Sequence, residues 1–130
     1  MKALLALLSI VASANLAVAQ GVTGAERLEY ATAAQALEAL RAKPGVNISV
    51  QSGWTVIEDH STLTLWSFTP AGHRAHPAAI KRMIIEDRGN FFVKMNVLCS
   101  ASKPDCDALV ADFEKLNDRM RDDLQRRNQR

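Results

Sequence analysis

The sequence predicts an α+β domain in which a four-stranded antiparallel sheet lies between an N-terminal and a C-terminal helix (α-β-β-β-β-α). Apolar residues recur every three or four positions near both ends of the mature chain, which is typical of amphipathic helices. In the middle of the chain they alternate with polar residues, which is typical of strands. Short connections favour a meander of antiparallel strands. Two layers are expected, with both helices covering one face of the sheet.

The first 19 residues have the layout of a secretory signal peptide. Lys2 precedes an apolar run, and Ala17–Ala19 is a small-residue cleavage pattern. The alternative, a membrane anchor, fits less well because the apolar run is at the short limit for crossing a bilayer. We therefore predict that residues 1–19 are removed and that residues 20–130 form a single exported domain without a stable membrane anchor. A bacterial source would place this domain in the periplasm, and another source would secrete it.

The first helix is predicted from Thr23 to Lys43. Thr23 and Glu26 have the spacing of a capping box, and the segment that follows is rich in good helix formers. Pro44-Gly45 ends the pattern. The apolar residues of this segment that fall on one stripe are Tyr30, Ala33, Ala34, Leu37 and Leu40.

Four strands are predicted between the helices. Alternation from Val46 to Val56 indicates one long strand with a bend at Ser52-Gly53, and two short strands are the alternative. Asp87–Asn90 has the composition of a hairpin turn. The three remaining predicted strands are Thr62–Phe68, Ile80–Glu86 and Phe91–Cys99.

The last helix is predicted from Lys103 to Arg126. Ser102 and Asp105 resemble a second capping box, with Pro104 in the tolerated first turn. Apolar residues continue at helical spacing to Leu124, and the polar end of the chain is expected to fray. The predicted helix is longer than the sheet needs, so its end is expected to protrude.

Cys99 and Cys106 are predicted to form a disulfide. They are the two cysteines of the chain, and export places them in an oxidising compartment. The short loop that they close predicts a stabilisation of about 2.5 kcal/mol. A redox-active or metal-binding pair is the alternative, but redox motifs usually have two intervening residues. The disulfide would join the end of a strand to the start of the last helix.

The charge balance argues against nucleic acid or a charged membrane surface as the partner. The chain has 16 Lys and Arg against 14 Asp and Glu, a formal net charge of +2 at pH 7. Locally, the segment Pro70–Arg82 is basic and contains no acid. Such side chains can hold phosphate or carboxylate groups, or an acidic partner. The predicted anion or partner site comprises His73, Arg74, His76, Lys81 and Arg82.

Candidate chemistry beyond anion binding is sparse. His73 and His76 have the spacing of half a zinc site, but zinc needs three or four ligands. His60 is expected at the far end of a strand from them, and so we assign no metal site and no cofactor. Ser67 lacks the glycine-flanked turn of a hydrolase nucleophile. No catalytic residue is assigned, and an enzyme is not favoured.

Four aromatic residues of the strands are candidates for an apolar binding face. The alternation places Trp66 opposite in parity to Leu65, so that both faces of the sheet carry large apolar groups. One face could then remain open as a binding surface, and a buried core is the alternative. The candidate residues are Trp54, Trp66, Phe68 and Phe92.

The function predicted from these features is that of a small exported binding or inhibitor-type protein. Its partner, a protein or a small molecule, and its oligomeric state are left open. One alternative is a small periplasmic enzyme or metal-binding protein that uses His73 and His76. Another is a structural envelope protein that assembles through its C-terminal helix.

Overall fold

A computed structural model describes residues 28–130 and shows the predicted α+β order of helix, sheet and helix. The predicted signal peptide and the predicted helix start at Thr23 lie outside the described residues. The sheet has five antiparallel strands rather than four, and each pairs with its neighbours in the chain. The elements are α1 (Ala33–Arg41), β1 (Asn47–Gln51), β2 (Trp54–Asp59), β3 (Thr64–Phe68), β4 (Ala78–Asp87), β5 (Asn90–Cys99) and α2 (Lys103–Asn128).

The fifth strand comes from a hairpin at Ser52-Gly53. Both residues have positive φ angles, 49° and 84°, and they connect the paired residues Gln51 and Trp54. Two successive positive φ angles are typical of a type I′ hairpin turn. The prediction of one long bent strand was wrong, and the alternative of two short strands is confirmed. The error arose because the same parity of apolar residues resumes after Ser52-Gly53 while the chain reverses direction.

The helices pack on opposite faces of the sheet, which therefore has three layers where two were predicted. Ile57 and Trp66 lie in one buried cluster with α1. Ile80 lies in another cluster with Leu109 and Phe113 of α2. Apolar residues on both faces of the sheet are thus covered: α1 covers those around Ile57 and Trp66, and α2 covers those around Ile80.

Helix α1 begins at Ala33, ten residues after the predicted start, because Thr32 caps it there. Thr32 Oγ1 accepts a hydrogen bond from the backbone N–H of Gln35 at 3.2 Å. The Gln35 side-chain oxygen accepts one from Ala31 N at 3.3 Å. Residues 28–32 are not helical, and Tyr30 packs edge-on against Trp66, with ring centroids 5.8 Å apart.

Helix α2 begins as predicted and is fixed to the sheet at both ends. Ser102 caps it, and the Cys99–Cys106 disulfide joins the end of β5 to its first turn, with a Cα–Cα distance of 5.9 Å. At the other end, Gln125 Nε2 donates to the carbonyl of Gly89 at 3.2 Å. Asn128 Nδ2 donates to the same carbonyl at 3.2 Å, so the end of the helix lies on the β4–β5 turn and does not protrude.

Among residues 28–130, no helix is both long and apolar enough to cross a membrane.

Candidate functional site

A cavity of about 470 Å³ lies between the sheet and α2, and we call it the α2 cavity. Helix α2 packs chiefly against β5, so that the same face of β2 and β3 is left partly uncovered. The apolar residues that line the cavity are Trp54, Val56, Leu65, Phe113 and Leu116. The polar lining residues are Gln51, Ser52, Glu58, Ser67, Arg82, Asp112 and Arg119.

Strand register brings the lining residues together. Glu58 of β2 pairs with Leu65 of β3, and Leu65 pairs with Arg82 of β4, so the three form one row across the sheet. In the next row on this face, Val56 pairs with Ser67. Alternate residues of a strand point to one face, and the cavity floor is therefore built from every second residue of β2 and β3.

Arg82 is a buried cation without a hydrogen-bonding partner at two of its nitrogens. The residue is 5% exposed, and its Nε and Nη1 atoms meet no acceptor among the described residues. The guanidinium lies over the Phe113 ring, with Cζ 5.1 Å from the ring centroid. Burial lowers the pKa of Arg82 below its ordinary value, yet the group stays protonated at neutral pH. The cavity is therefore bordered by a desolvated positive charge.

The other charged groups of the α2 cavity are better solvated. Glu58 lies 3.5 Å from His60 Nε2, and about a third of its side chain is exposed. Asp112 and Arg119 are exposed residues of α2. Solvent screens such charges much more strongly than it screens Arg82. Among the charged lining residues, Arg82 is the one that is buried.

A second unpartnered polar atom lies near Arg82 but lines a different cavity. Asn117 Nδ2 contacts Met95 Sδ at 3.3 Å, and Asn117 Oδ1 has no partner among residues 28–130. Met95 is the β5 partner of Arg82. Asn117 opens on a smaller cavity of about 290 Å³, which makes it a useful control for Arg82.

The predicted anion site is divided among several places. Lys81 is on the α1 face, 2.7 Å from Glu29 Oε1 and 5.7 Å from the centroid of the Trp66 ring. Arg82 is on the α2 face, since neighbouring strand residues point in opposite directions. Arg74 lies 3.7 Å from Asp105. The five predicted residues are close in sequence, but Arg82 is the one among them that lines the α2 cavity.

His73 and His76 take part in the hydrogen bonding of the loop before β4. His73 Nδ1 accepts from Ala75 N at 3.1 Å, and its ring packs edge-on to Trp54 at 5.1 Å. His76 Nδ1 lies 3.1 Å from the carbonyl oxygen of Thr69 and 3.1 Å from its Oγ1. In the described part of the chain, no three His, Cys, Asp or Glu side chains are grouped to hold a metal ion.

The four predicted aromatic binding residues do not share one surface. Trp66 and Phe68 are stacked 6.0 Å apart beneath α1, and Trp66 is 2% exposed. Phe92 lies on the same face but is 51% exposed near the β4–β5 turn. Trp54 is on the opposite face and is the member of this set that lines the α2 cavity.

The sequence contains a signal for this site that the prediction did not use. In β4, Arg82 has the parity of Ile80 and Ile84, so it occupies a position that the alternation assigns to a buried face. A cation at such a position needs a partner or a ligand. The residues that form the floor, Leu65 and Ser67, carry no comparable signal.

Comparisons with known protein families, with curated proteins and with solved structures found no match to this chain. The function is therefore inferred from the chemistry of the α2 cavity.

Proposed function

We propose that this chain is a small exported binding protein whose α2 cavity holds a small ligand with an apolar body. The observation that carries the proposal is the cavity of about 470 Å³ between the sheet and α2. Its volume lies within the range of about 300–1,000 Å³ that is typical of small-molecule sites. Apolar walls with a few polar groups are also typical of such sites.

The lining suits an apolar ligand. Trp54 and Phe113 pack with ring centroids 5.7 Å apart, and Val56 and Leu116 extend the apolar surface. The wall formed by α2 is held in place by the disulfide at one end and by Gly89 at the other. A wall fixed before binding reduces the ordering that a ligand must impose, and this favours affinity.

Binding is proposed rather than catalysis because the lining offers few reactive groups. Ser67 is the lining residue within a strand that carries a hydroxyl group, and the described lining includes neither His nor Cys. The disulfide and the signal-like first 19 residues support export, and we propose the periplasm as the site of action.

The proposal is tested by filling the cavity. Ser67→Leu places an apolar side chain into the space above β3, whereas Ser100→Leu, at an exposed position outside the lining, is the matched control. Titration with the neutral fluorescent probe N-phenyl-1-naphthylamine should show saturable one-to-one binding to the wild type and to Ser100→Leu. Ser67→Leu should lose at least about 1.4 kcal/mol of binding free energy, a tenfold change.

Two results would overturn the proposal. One is the absence of saturable probe binding to the folded wild-type protein. The other is equal binding by the wild type and by a Ser67→Leu variant whose far-ultraviolet circular dichroism and melting show a folded domain. A destabilised Ser67→Leu variant would be replaced by Leu65→Trp, which fills the same floor from the neighbouring residue row.

A further inference from the structure

We propose that the ligand of the α2 cavity is an apolar carboxylic acid, bound with its single negative charge against Arg82. This inference rests on the proposed function and deepens it by naming the chemical class of the ligand. The buried guanidinium has two nitrogens, Nε and Nη1, that donate to nothing in the described residues. A carboxylate supplies oxygen acceptors and a charge of opposite sign.

Burial explains why an anion should be preferred at this position. A charged group that is removed from water without a partner is strongly disfavoured, and a partner of opposite charge offsets part of that cost. The Phe113 ring covers the guanidinium on one side, at 5.1 Å from Cζ, but it offers no hydrogen-bond acceptor in its plane. Nε and Nη1 are themselves covered, so an anionic group in the cavity would pair with the guanidinium at its cavity side and neutralise the buried charge.

The charged residues around the cavity favour a ligand with one negative charge over a ligand with two. Arg82 is the buried cation, and the other charged lining residues are Glu58, Asp112 and Arg119. Their formal charges sum to one negative unit, and all three are better exposed than Arg82. A doubly charged phosphate would therefore leave one charge without a buried partner, whereas a carboxylate is neutralised by Arg82 alone.

The strand register gives the orientation and approximate length of the ligand. Arg82 lies in the residue row of Glu58, and Trp54 is four residues from Glu58 on the same face. At about 3.3 Å per residue and about 4.8 Å between strands, the backbone positions of Arg82 and Trp54 are about 16 Å apart across the floor. A carboxylate at the Arg82 guanidinium, whose side chain extends into this span, and an apolar chain directed across β3 towards Trp54 match a medium-chain acid.

The test compares ligands with the same ten-carbon chain and different head groups. Decanoate, 1-decanol, decylamine and decyl phosphate are titrated at neutral pH, below micelle-forming concentrations, as competitors of N-phenyl-1-naphthylamine. Decanoate should bind the wild type about 30-fold or more tighter than 1-decanol. Decylamine should bind more weakly than 1-decanol, and decyl phosphate more weakly than decanoate.

Variants assign the preference to one residue. Arg82→Met should abolish the difference between decanoate and 1-decanol. Arg41→Met, at an exposed position of α1 outside the lining, and Asn117→Leu, at the other residue with an unpartnered polar atom, should retain most of that difference. Circular dichroism and melting of each variant check that the domain is folded.

The outcomes separate this inference from the proposed function. If 1-decanol and decanoate bind the wild type equally, the carboxylate inference is overturned and the cavity remains a binding site. Retention of the preference in folded Arg82→Met overturns it as well, as does tighter binding of decyl phosphate than of decanoate. If neither the probe nor any decyl compound binds, the proposed function itself fails.

Discussion

The two faces of the sheet are built from similar apolar residues, but the cavity beside α1 is about 210 Å³ and the cavity beside α2 is about 470 Å³. Beneath α1, Ile57, Trp66 and Phe68 are buried together with small alanines of the helix. The buried Asp59 on that face is paired with Lys43 at 2.5 Å. Beneath α2, by contrast, the sheet borders the α2 cavity and contains Arg82 and Asn117 with unpartnered atoms.

The position of each helix explains the difference. Helix α1 places Ala33 and Ala36 against the sheet, and such small side chains allow a close approach over β2, β3 and β4. Helix α2 is held along β5 by Cys106 at one end and by Asn128 at the other. A helix fixed over one side of a sheet leaves the other side open, so the larger cavity lies on the face covered by α2.

We call the sheet face beneath α1 the filled face, because its cavity is smaller than the α2 cavity. The largest expected effect is the loss of the Trp66 ring from this face. Trp66→Ala should cost about 5 kcal/mol of unfolding free energy, since the cavity left behind is enclosed by α1 and the sheet. Phe113→Ala should cost about 3 kcal/mol or less, because that ring already borders open space. Urea unfolding of both variants measures the difference. Equal losses would contradict the contrast between the two faces.

Removing the disulfide should affect the face beneath α2. Cys99→Ser combined with Cys106→Ser should lower the free energy of unfolding by about 2.5 kcal/mol, through the loop-closure entropy of the unfolded chain. Probe binding should weaken as well, because the first turn of α2 is no longer tied to β5. The wild type under the same non-reducing conditions is the control. Unchanged probe affinity would show that the disulfide does not position the cavity wall.

The third expected effect has the opposite sign. Arg82→Met should raise the unfolding free energy of the ligand-free protein by about 1 kcal/mol, because an apolar side chain replaces a buried charge without a partner. Lys81→Met, the neighbouring residue on the filled face, should instead lower it by up to about 1 kcal/mol, through loss of its contacts with Glu29 and Trp66. Urea midpoints compare the two. A destabilised Arg82→Met would show that the cation is already satisfied without ligand.

The smallest expected effect is a pH dependence from the filled face. Hydrogen bonds from Lys43 and Ser61 hold the pKa of Asp59 far below its ordinary value of 3.8. Because the folded-state pKa is lowered, the stabilisation is present above the unfolded-state value and is lost as the pH falls below about 5 towards the folded-state pKa.

Asp59→Asn should remove that component of the pH dependence. Urea midpoints at pH 7 and pH 3 should differ less for Asp59→Asn than for the wild type. Asp123→Asn, at an exposed position on α2, is the matched control and should keep the wild-type difference. An unchanged pH dependence in Asp59→Asn would show that this carboxylate is not the source.

Local patterns predicted the elements better than they predicted the layers. The alternation of β5 and the cap at Ser102 are local, and the structure confirms both. The hairpin at Ser52-Gly53 was misassigned because alternation has the same period on either side of a two-residue turn. Which face a helix covers depends on contacts distant in sequence, and no local pattern encodes them.

The candidate site shows the same limit. Arg82 was included among the predicted anion-binding residues, but with sequence neighbours that the alternation of β4 sends to the other face. The cavity arises from the lateral position of α2, which depends on Cys106 and on contacts with the distant Gly89 turn. The disulfide was predicted because two cysteines in a chain that is predicted to be exported leave one pairing.

The simple strand order has a consequence for how the protein reaches its folded state. Since every strand pairs with the strand before or after it in the chain, each hairpin can form without waiting for a distant segment. Sheets with such local pairing have a low contact order for a β-rich domain and are expected to fold comparatively quickly. A chain that emerges unfolded on the far side of a membrane would therefore expose its apolar strands to aggregation for a shorter time.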